Sequence, residues 1–503
     1  MKNNLGREIF EQVKPFASSD AFNQESRRLI AKKTTEESVV FLKSIEEAFD
    51  LLKIKNGMTI SFHHHLRNGD KVINLVAETL KKRGIKDITI AASSLFPNNA
   101  PLVDLIKDQT ITGIVTNYIN GPIAKAIGEG YLKNPLIMDT HGGRARAIES
   151  GDLKIDIAFI ATPAVDRLGN GSGKFGPSAC GTIGYVIPDL MYAKKVVLMT
   201  DYMTEHIVEP ELASEYVDYV VMIDKIGDSE GIVSGTTKVT RDPVGRKIAR
   251  DTVRVLDALH LIKDGFSMQT GAGGVSLAVV EYVKNIMIQS EIKARFASGG
   301  ITGQYVDMLE NNLVDTLYDV QCFDLKAARS YRENRRHIAI SASEYGNPFE
   351  IKPIVNDLDF VILGATEVDL DFNVNVTTDS LGQIIGGSGG HSDTAHGAKV
   401  TMIVTNLLKA RLPIIKEKVT CVTTPGEDID IIVTERGIAI NPLRTDLIDT
   451  LSKTKLPIVT IEDLMKTAHH IAGVPNHYEL SHQPIGYVRY RDGSIIDTLY
   501  KIK

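Results

Sequence analysis

The chain has 503 residues, 43% of them apolar and 24% charged, with a formal net charge of −6; that is core-forming material for two or three domains, and it excludes a disordered chain or one drawn to nucleic acid by bulk positive charge. No apolar run approaches the roughly 18 residues of a membrane helix, and the charged amino-terminal stretch MKNNLGREIFEQVKPF does not read as a signal peptide. Three cysteines far apart, Cys180, Cys322 and Cys421, form neither a disulfide framework nor a CxxC pattern, so a cytoplasmic chain without a metal site is expected.

In chain order, residues 1–34 read as a polar arm. Thr34 to Glu37 has the form of a capping box, and Phe41, Ile45, Phe49 and Leu52 follow at helical spacing. After Asn56-Gly57, MTISF reads as a strand. A helix signal then runs from Asp70 through Ile73, Val76 and Leu80 to Gly84, and DITIAA is the next strand. Strand, helix and strand joined by short turns predict a parallel βαβ unit. GIVT, DIAFIA, KVVLMT and DYVVMI continue as strands buried on both faces. From Ile226 to Arg250 the apolar period lapses, which places a crossing between domains there. A second series follows: a helix over Val275–Ile288, strands HIAISAS, FVILGA, KVTMIV, VTCVTT and DIIVTE, and a last helix ending at Gly473. The expected fold class is α/β, with the arm over 1–34, a first open α/β domain over 35–235 and a second over 236–503. Mainly parallel sheets are expected, with the active site in the interdomain cleft.

Four segments carry chemistry. The first is Phe62-His63-His64-His65-Leu66-Arg67-Asn68-Gly69-Asp70, between a strand and a helix, where open parallel sheets collect ligands. Strand alternation puts His63 and His65 on one face and turns His64 away. Three readings compete: a metal site lacking a nearby third ligand, a strand end with polar histidines, and a carboxylate site in which Arg67 supplies two parallel hydrogen bonds. The second is Met268 to Val275, with Gly271, Gly273 and Gly274. It is either an oxyanion cradle or a tight turn into the next helix. The third is Gly386-Gly387-Ser388-Gly389-Gly390-His391-Ser392-Asp393. Its Gly-x-Ser-x-Gly also fits a serine-hydrolase elbow, with Asp430 and His470 following in the right order. The fourth, Leu168 to Gly176, contains a GxGxxG that fits neither a Walker loop nor a dinucleotide fold. Pro163 to Asn170 reads instead as a loop with polar reach into a cleft.

Together these segments resemble the CoA-transferases. Gln269 to Val279 is similar to the glycine motif that opens their second domain, and Gly386 to Asp393, continued by Gly397-Ala398, is similar to their later GGxGGxxD motif. Thr162 to Asn170 resembles a first-domain loop of the same superfamily. Ile60 to Asp70, with its three histidines, resembles the α subunits of citrate lyases. The resemblance implies exchange of acetyl for citryl on an acyl-carrier thioester. It implies oxyanion donors at Gly273, Gly274, Gly389 and Gly390, and substrate contacts from His63, His64, His65, Arg67, Asn68, Gln269, Gly271, Gly386, Gly387, His391 and Asp393. It further implies no cofactor bound by this chain, the thioester being held by a phosphoribosyl-dephospho-CoA group on a γ acyl-carrier subunit, for which CoA is a surrogate. A β subunit, citrate and acetate are the other implied partners, in a homo-oligomer within a larger complex, with no nucleic acid and no membrane. Many CoA-transferases carry a catalytic glutamate after the first glycine motif. Here Phe296 to Thr302 offers glycine instead, so a ternary complex without a glutamyl thioester is expected. A citramalate-specific transferase, an acyl-CoA thioester hydrolase, a serine hydrolase using Ser388 and a non-catalytic scaffold are the alternatives.

Overall fold

The computed structural model describes residues 1–10, 13–21, 28–32, 38–233, 238–475 and 479–503. The capping box expected at Thr34 to Glu37 lies outside them. Two sheets organise the rest. The first has ten strands, with Val40–Leu42 at one edge, then Tyr219–Met222, Lys195–Thr200, Ile157–Ala161, Thr59–Phe62, Ile88–Ala92, Ile111–Thr116, Leu136–Met138 and the hairpin Pro484–Arg489 and Ile495–Tyr500. Every pairing in it is parallel except that last hairpin. The second has eight strands, from His337–Ala339 through Val314–Cys322, Ala294–Ile301, Ser267–Thr270, Phe360–Leu363 and Val400–Val404 to the antiparallel pair Ile431–Thr434 and Gly437–Ile440. The fold is α/β, with mainly parallel sheets covered by helices.

Local chemistry explains the elements. The helix Val72–Lys82 starts where the Asp70 carboxylate accepts hydrogen bonds from the Val72 and Ile73 N–H groups, and it buries Ile73, Val76 and Leu80. In the second sheet the period of two decides the layers. Phe360 and Ile362 join one core, while Val361 and Leu363 join the core on the other face.

Several expectations are corrected. Phe41 is not on the first helix. It lies half exposed in an edge strand, and the helix Ile45–Leu52 begins after Ser44, whose hydroxyl accepts from Glu47 N–H. The expected crossing over Ile226 to Arg250 is partly helical, because Pro243–Ala258 forms a helix capped by Asp242 that buries Ile248, Ala249, Val253 and Leu256. HIAISAS is a strand only over His337–Ala339, and a short helix, Ala342–Gly346, follows with its own capping box. VTCVTT is not a strand. Its N–H groups find carboxylates in place of a ladder partner: Val419 donates to Asp369, Thr420 to Glu367 and Val422 to Asp497.

The division at residue 236 is crossed by the chain's last strands. The hairpin Pro484–Tyr500 extends the first sheet beside Leu136–Met138. The arm is packed as well: the Asn3 side chain donates to Ile496 C=O and Pro15 bridges Ile495. Among the described residues no helix is long and apolar enough to cross a membrane.

Candidate active site

The carboxyl ends of the two sheets meet. From the first half come the residues after Thr59–Phe62; from the second come those at the ends of Ser267–Thr270, Ala294–Ile301 and Val314–Cys322. The Gln321 amide donates to His64 C=O at 2.9 Å, tying the halves together. The loop Gly386–Gly390 is laid directly on the first sheet: Ile119 N–H donates to Gly386 C=O, Gly389 N–H to Asn117 C=O, and His141 N–H to Gly389 C=O. Gly389 has φ +52°, and an added Cβ would lie 3.3 Å from His141 Nε2.

Arg67 is the central cation. Its backbone is left-handed at φ +50°, held by Arg67 N–H to His64 C=O and Asp70 N–H to Arg67 C=O, a conformation that costs an L-residue about 1–2 kcal/mol. Its guanidinium carbon lies 4.8 Å from the Phe323 ring centroid and 5.5 Å from that of Phe96. Nε and Nη1 are buried and make no hydrogen bond, and among the described residues no carboxylate pairs with it. Burial pushes its pKa down, while Tyr118 and Tyr185 push it back up. Other buried arginines are neutralised: Arg144 makes a two-pronged pair with Asp189 at 2.7 and 2.8 Å, and Arg491 faces Asp393. A buried guanidinium without an anion is unfavourable, and an arriving carboxylate removes that penalty.

The three histidines have different surroundings. His64 stacks on Tyr185 at 4.8 Å, and Tyr185 in turn lies 4.3 Å from His141. His64 Nδ1 meets Ser93 Oγ. His65 turns inward to Ala161 C=O. His63 sits 3.8 Å from Asp189, with neither ring nitrogen hydrogen-bonded. It shares with His64, Arg67, Ser94 and Phe96 a cavity of about 10 Å³, room for about one water. Burial holds all three neutral, with His65 down at about 4. Asn68 is exposed, and its backbone packs on Gly231.

The other predicted residues divide into three groups. Gln269 donates to the Tyr345 hydroxyl at 2.7 Å and accepts from Ser298, and a Cβ at Gly390 would strike that same hydroxyl. Gln269 and the 386–390 loop are therefore neighbours, with Gly386 and Gly387 against Tyr118 and Asn117. Gly273 caps the 16-residue helix Gly274–Gln289, and a Cβ there would meet no atom of the described residues within 4 Å, while Gly274 lies by Lys238 and Thr240, and Gly271 N–H goes to Ile362 C=O. His391 and Asp393 are structural in their contacts. His391 bonds Thr424 and Gly364, and Asp393 accepts from Thr140 Oγ and Gly142 N–H across the two halves.

The serine-hydrolase arrangement does not form. Ser388 Oγ pairs with Ser392 Oγ, Asp430 is held by Arg444 and Thr401, and His470 is exposed on a distant helix. The loop Pro163 to Asn170 closes on itself around the Asp166 carboxylate, which collects N–H groups of Leu168, Asn170 and Ile207.

The stretch Phe296 to Ile301 is a strand with a register shift between Gly299 and Gly300. Gly299 has φ +106°, and a Cβ there would press on the Gln269 amide. One at Gly300 would lie 2.2 Å from the Phe323 ring. Behind it, Asp319 accepts from Cys322 Sγ, His337 Nε2 and Gln321 N–H. These three side chains, Asp319, Cys322 and His337, are close enough to hold a metal ion, yet each is already satisfied within the network. A groove of about 870 Å³ opens nearby, lined by Lys174, Glu211, Tyr331, His337 and Ile340. Sequence reasoning missed Phe96, His141, Tyr185, Gln321, Phe323 and Tyr345. The one available signal was the Gly299-Gly300 pair inside an otherwise apolar run.

Comparison with known proteins identifies the family. The family model "Citrate lyase, alpha subunit" matches residues 38–502. The chain is 44% identical over 461 residues to the citrate lyase alpha chain of Haemophilus influenzae, covering 92% of each, and 41% identical to that of Escherichia coli K12, covering 92% of this chain and 90% of the other. A Streptococcus mutans structure assigned to the alpha subunit of citrate lyase in complex with citrate superposes with a TM-score of 0.95 at 42% identity, over 100% of both chains. A malonate decarboxylase alpha subunit from Acinetobacter baumannii shares the fold alone, with a TM-score of 0.63 at 15% identity over 87% of this chain and 93% of the other. The chain belongs to the citrate lyase alpha-subunit family, the acyl-transferase component of that enzyme.

Proposed function

We propose that the chain exchanges acetyl for citryl on an acyl-carrier thioester by direct transfer between bound substrates. The observation that carries this reading is the Arg67 guanidinium facing the second half, with Nε and Nη1 buried and no carboxylate paired to it among the described residues. One citrate carboxylate docks there while another attacks the acetyl thioester carbonyl. The C–S bond breaks, thiolate leaves, and a mixed acetyl–citryl anhydride forms. The thiolate then attacks the citryl carbonyl, giving citryl thioester and releasing acetate. Alignment supplies much of the rate, because a carboxylate is a weak nucleophile. Both tetrahedral oxyanions need N–H donors, for which we assign Gly273 and Gly274 at a helix start and the Gly389-Gly390 turn at the interface, where Gly389 N–H would have to leave Asn117 C=O to serve; losing one such donor lowers turnover about a hundredfold to a thousandfold. The groove of about 870 Å³ that reaches His337 of the Asp319 network has room for the arm of a phosphoribosyl-dephospho-CoA group carried by a γ acyl-carrier subunit, with a β subunit cleaving the citryl product in a homo-oligomeric assembly.

The crowding at Gly300 supports a route without a glutamyl thioester, since a side chain there meets the Phe323 ring. The test uses acetyl-CoA as carrier surrogate with citrate or citramalate as acceptor. Thiol release should require the acceptor, and hydroxylamine should trap no protein carboxylate in its absence. Release without any acceptor would instead establish a thioester hydrolase, and a hydroxamate at a glutamate would sink the direct route.

A further inference from the structure

We propose that Phe323 is a positioning residue of the acceptor site: its ring fixes the plane of the Arg67 guanidinium and fills the volume that a side chain at position 300 would need. The proposal rests on the reading of Arg67 as the acceptor's anchor. Phe323 follows directly on the long strand Val314–Cys322, and its N–H donates to Ile301 C=O at 2.8 Å, so the ring hangs from the Gly299-Gly300 bulge. From there it reaches across to the first half and lies 4.8 Å from the Arg67 guanidinium carbon. An arginine packed on an aromatic face keeps its edge free for two parallel hydrogen bonds to a carboxylate. Nε and Nη1 are buried and make no hydrogen bond among the described residues, so ring packing, with Phe323 at 4.8 Å and Phe96 farther off at 5.5 Å, is what orients that edge.

The same ring makes position 300 exclusive. A Cβ there would lie 2.2 Å from the ring's Cζ, with both Cε atoms within 2.7 Å. Such contacts force either the ring or the strand to move. Glycine at 300 and phenylalanine at 323 are thus one device: the strand gives up a side chain, and the ring that takes its place belongs to the binding slot. The cation and one ring, Phe96, come from one half of the molecule and the nearer ring, Phe323, from the other, so the slot is complete only where the two sheets meet.

The experiment measures citrate binding by calorimetry and steady-state exchange with acetyl-CoA and citrate. Phe323→Leu keeps most of the volume and removes the aromatic face. Citrate Kd and KM should rise roughly tenfold while the acetyl-CoA KM stays within about twofold. Phe323→Tyr should stay within about threefold of the parent for citrate, because the face returns. Gly300→Ala should weaken citrate to a similar degree by displacing the ring. Should Phe323→Leu fail to fold, Phe323→Tyr and Gly300→Ala carry the comparison. Unchanged citrate constants in Phe323→Leu, or in Gly300→Ala when the leucine variant cannot be made, would overturn the proposal. Arg67→Lys separates this failure from that of the underlying reading. If it weakens citrate while the Phe323 variants do not, only the positioning role is lost. If citrate binds Arg67→Lys as it binds the parent, the acceptor site itself lies elsewhere.

Discussion

Arg67 and Asn68 are adjacent, and the structure gives them opposite prospects. Arg67 is half-buried, with Nε and Nη1 enclosed and no anion beside them among the described residues; Asn68 is exposed with its backbone on Gly231. Arg67→Lys keeps the charge and loses the fork, so the citrate KM should rise about tenfold or more. Asn68→Ala should leave it within about twofold, since an exposed polar side chain without a hydrogen bond among the described residues contributes little. Equal effects in steady-state kinetics would dissolve the distinction. His391 gives a prediction in pH. Burial lowers it to about 4, while its ring holds Thr424 and Gly364. An unfolded histidine titrates near 6.5, so between about pH 4 and 6.5 the unfolded chain binds the extra proton. That contribution is complete above about pH 6.5 and fades as acid is added. Asp70 and Asp393, raised by burial to about 7 and about 6, act in the opposite sense: their folded forms hold protons that the unfolded chain releases, and their contribution fades as pH rises. His391→Gln should therefore lose less melting temperature between about pH 7 and pH 5 than the parent. An identical drop would mean that His391 does not take part.

At the scale of elements, the two glycine loops differ in what they tolerate. Gly273 has φ −70° and open space around a Cβ, whereas Gly389 has φ +52° and His141 close by. Gly273→Val should cost about 1 kcal/mol, as for a poor helix cap, while Gly389→Val also carries the left-handed strain of a branched residue, about 2 kcal/mol or more. Both should lower turnover, and thermal melting beside turnover numbers separates the two effects. Full turnover in Gly273→Val would remove that loop from the chemistry. The same elements show what the sequence made legible. Continuous apolar runs such as Ile157–Ala161 announced buried parallel strands, and Asp70 with Ile73, Val76 and Leu80 announced a helix. Ala294–Ile301 and Val314–Cys322 stayed hidden because glycines and acids interrupt them, and those interruptions shape the candidate site: the bulge at Gly299-Gly300 and the Asp319 network. In the site, the histidine segment and both glycine motifs were readable as local patterns. Phe323, Tyr185 and His141 were not, because isolated aromatic residues acquire a role only when the two sheets meet.

Across the whole molecule, the arm and the last hairpin act as one clasp. Arg7 pairs with the 2%-exposed Asp497 at 2.6 Å and donates to the carbonyls of Val419 and Thr420. Asp497 also accepts from Val422 N–H. One guanidinium thus joins the beginning of the chain, a loop of the second half and the end of the first sheet. Arg7→Ala leaves the buried carboxylate without its counter-charge. The expected loss is about 2–3 kcal/mol, below the usual range for a broken buried pair because Arg7 is itself 20% exposed. Chemical denaturation measures it; an unchanged midpoint would show that the clasp is decorative.

The return of Pro484–Tyr500 to the first sheet also has a consequence in time. A ribosome makes Leu136–Met138 early and its neighbour Pro484–Arg489 almost last, so that edge waits on the order of tens of seconds at ordinary elongation rates. During that wait it is an open strand, kept short at three residues, which limits its use as a template for other chains. The arm waits too, since the surface it binds does not yet exist. A fragment cut near residue 235 would be fixed permanently in that state, with an unpaired edge and an unattached arm. Expression of the first half alone is therefore a poor route to a soluble piece, whereas a fragment that carries residues 484–500 on a linker supplies the strands it lacks.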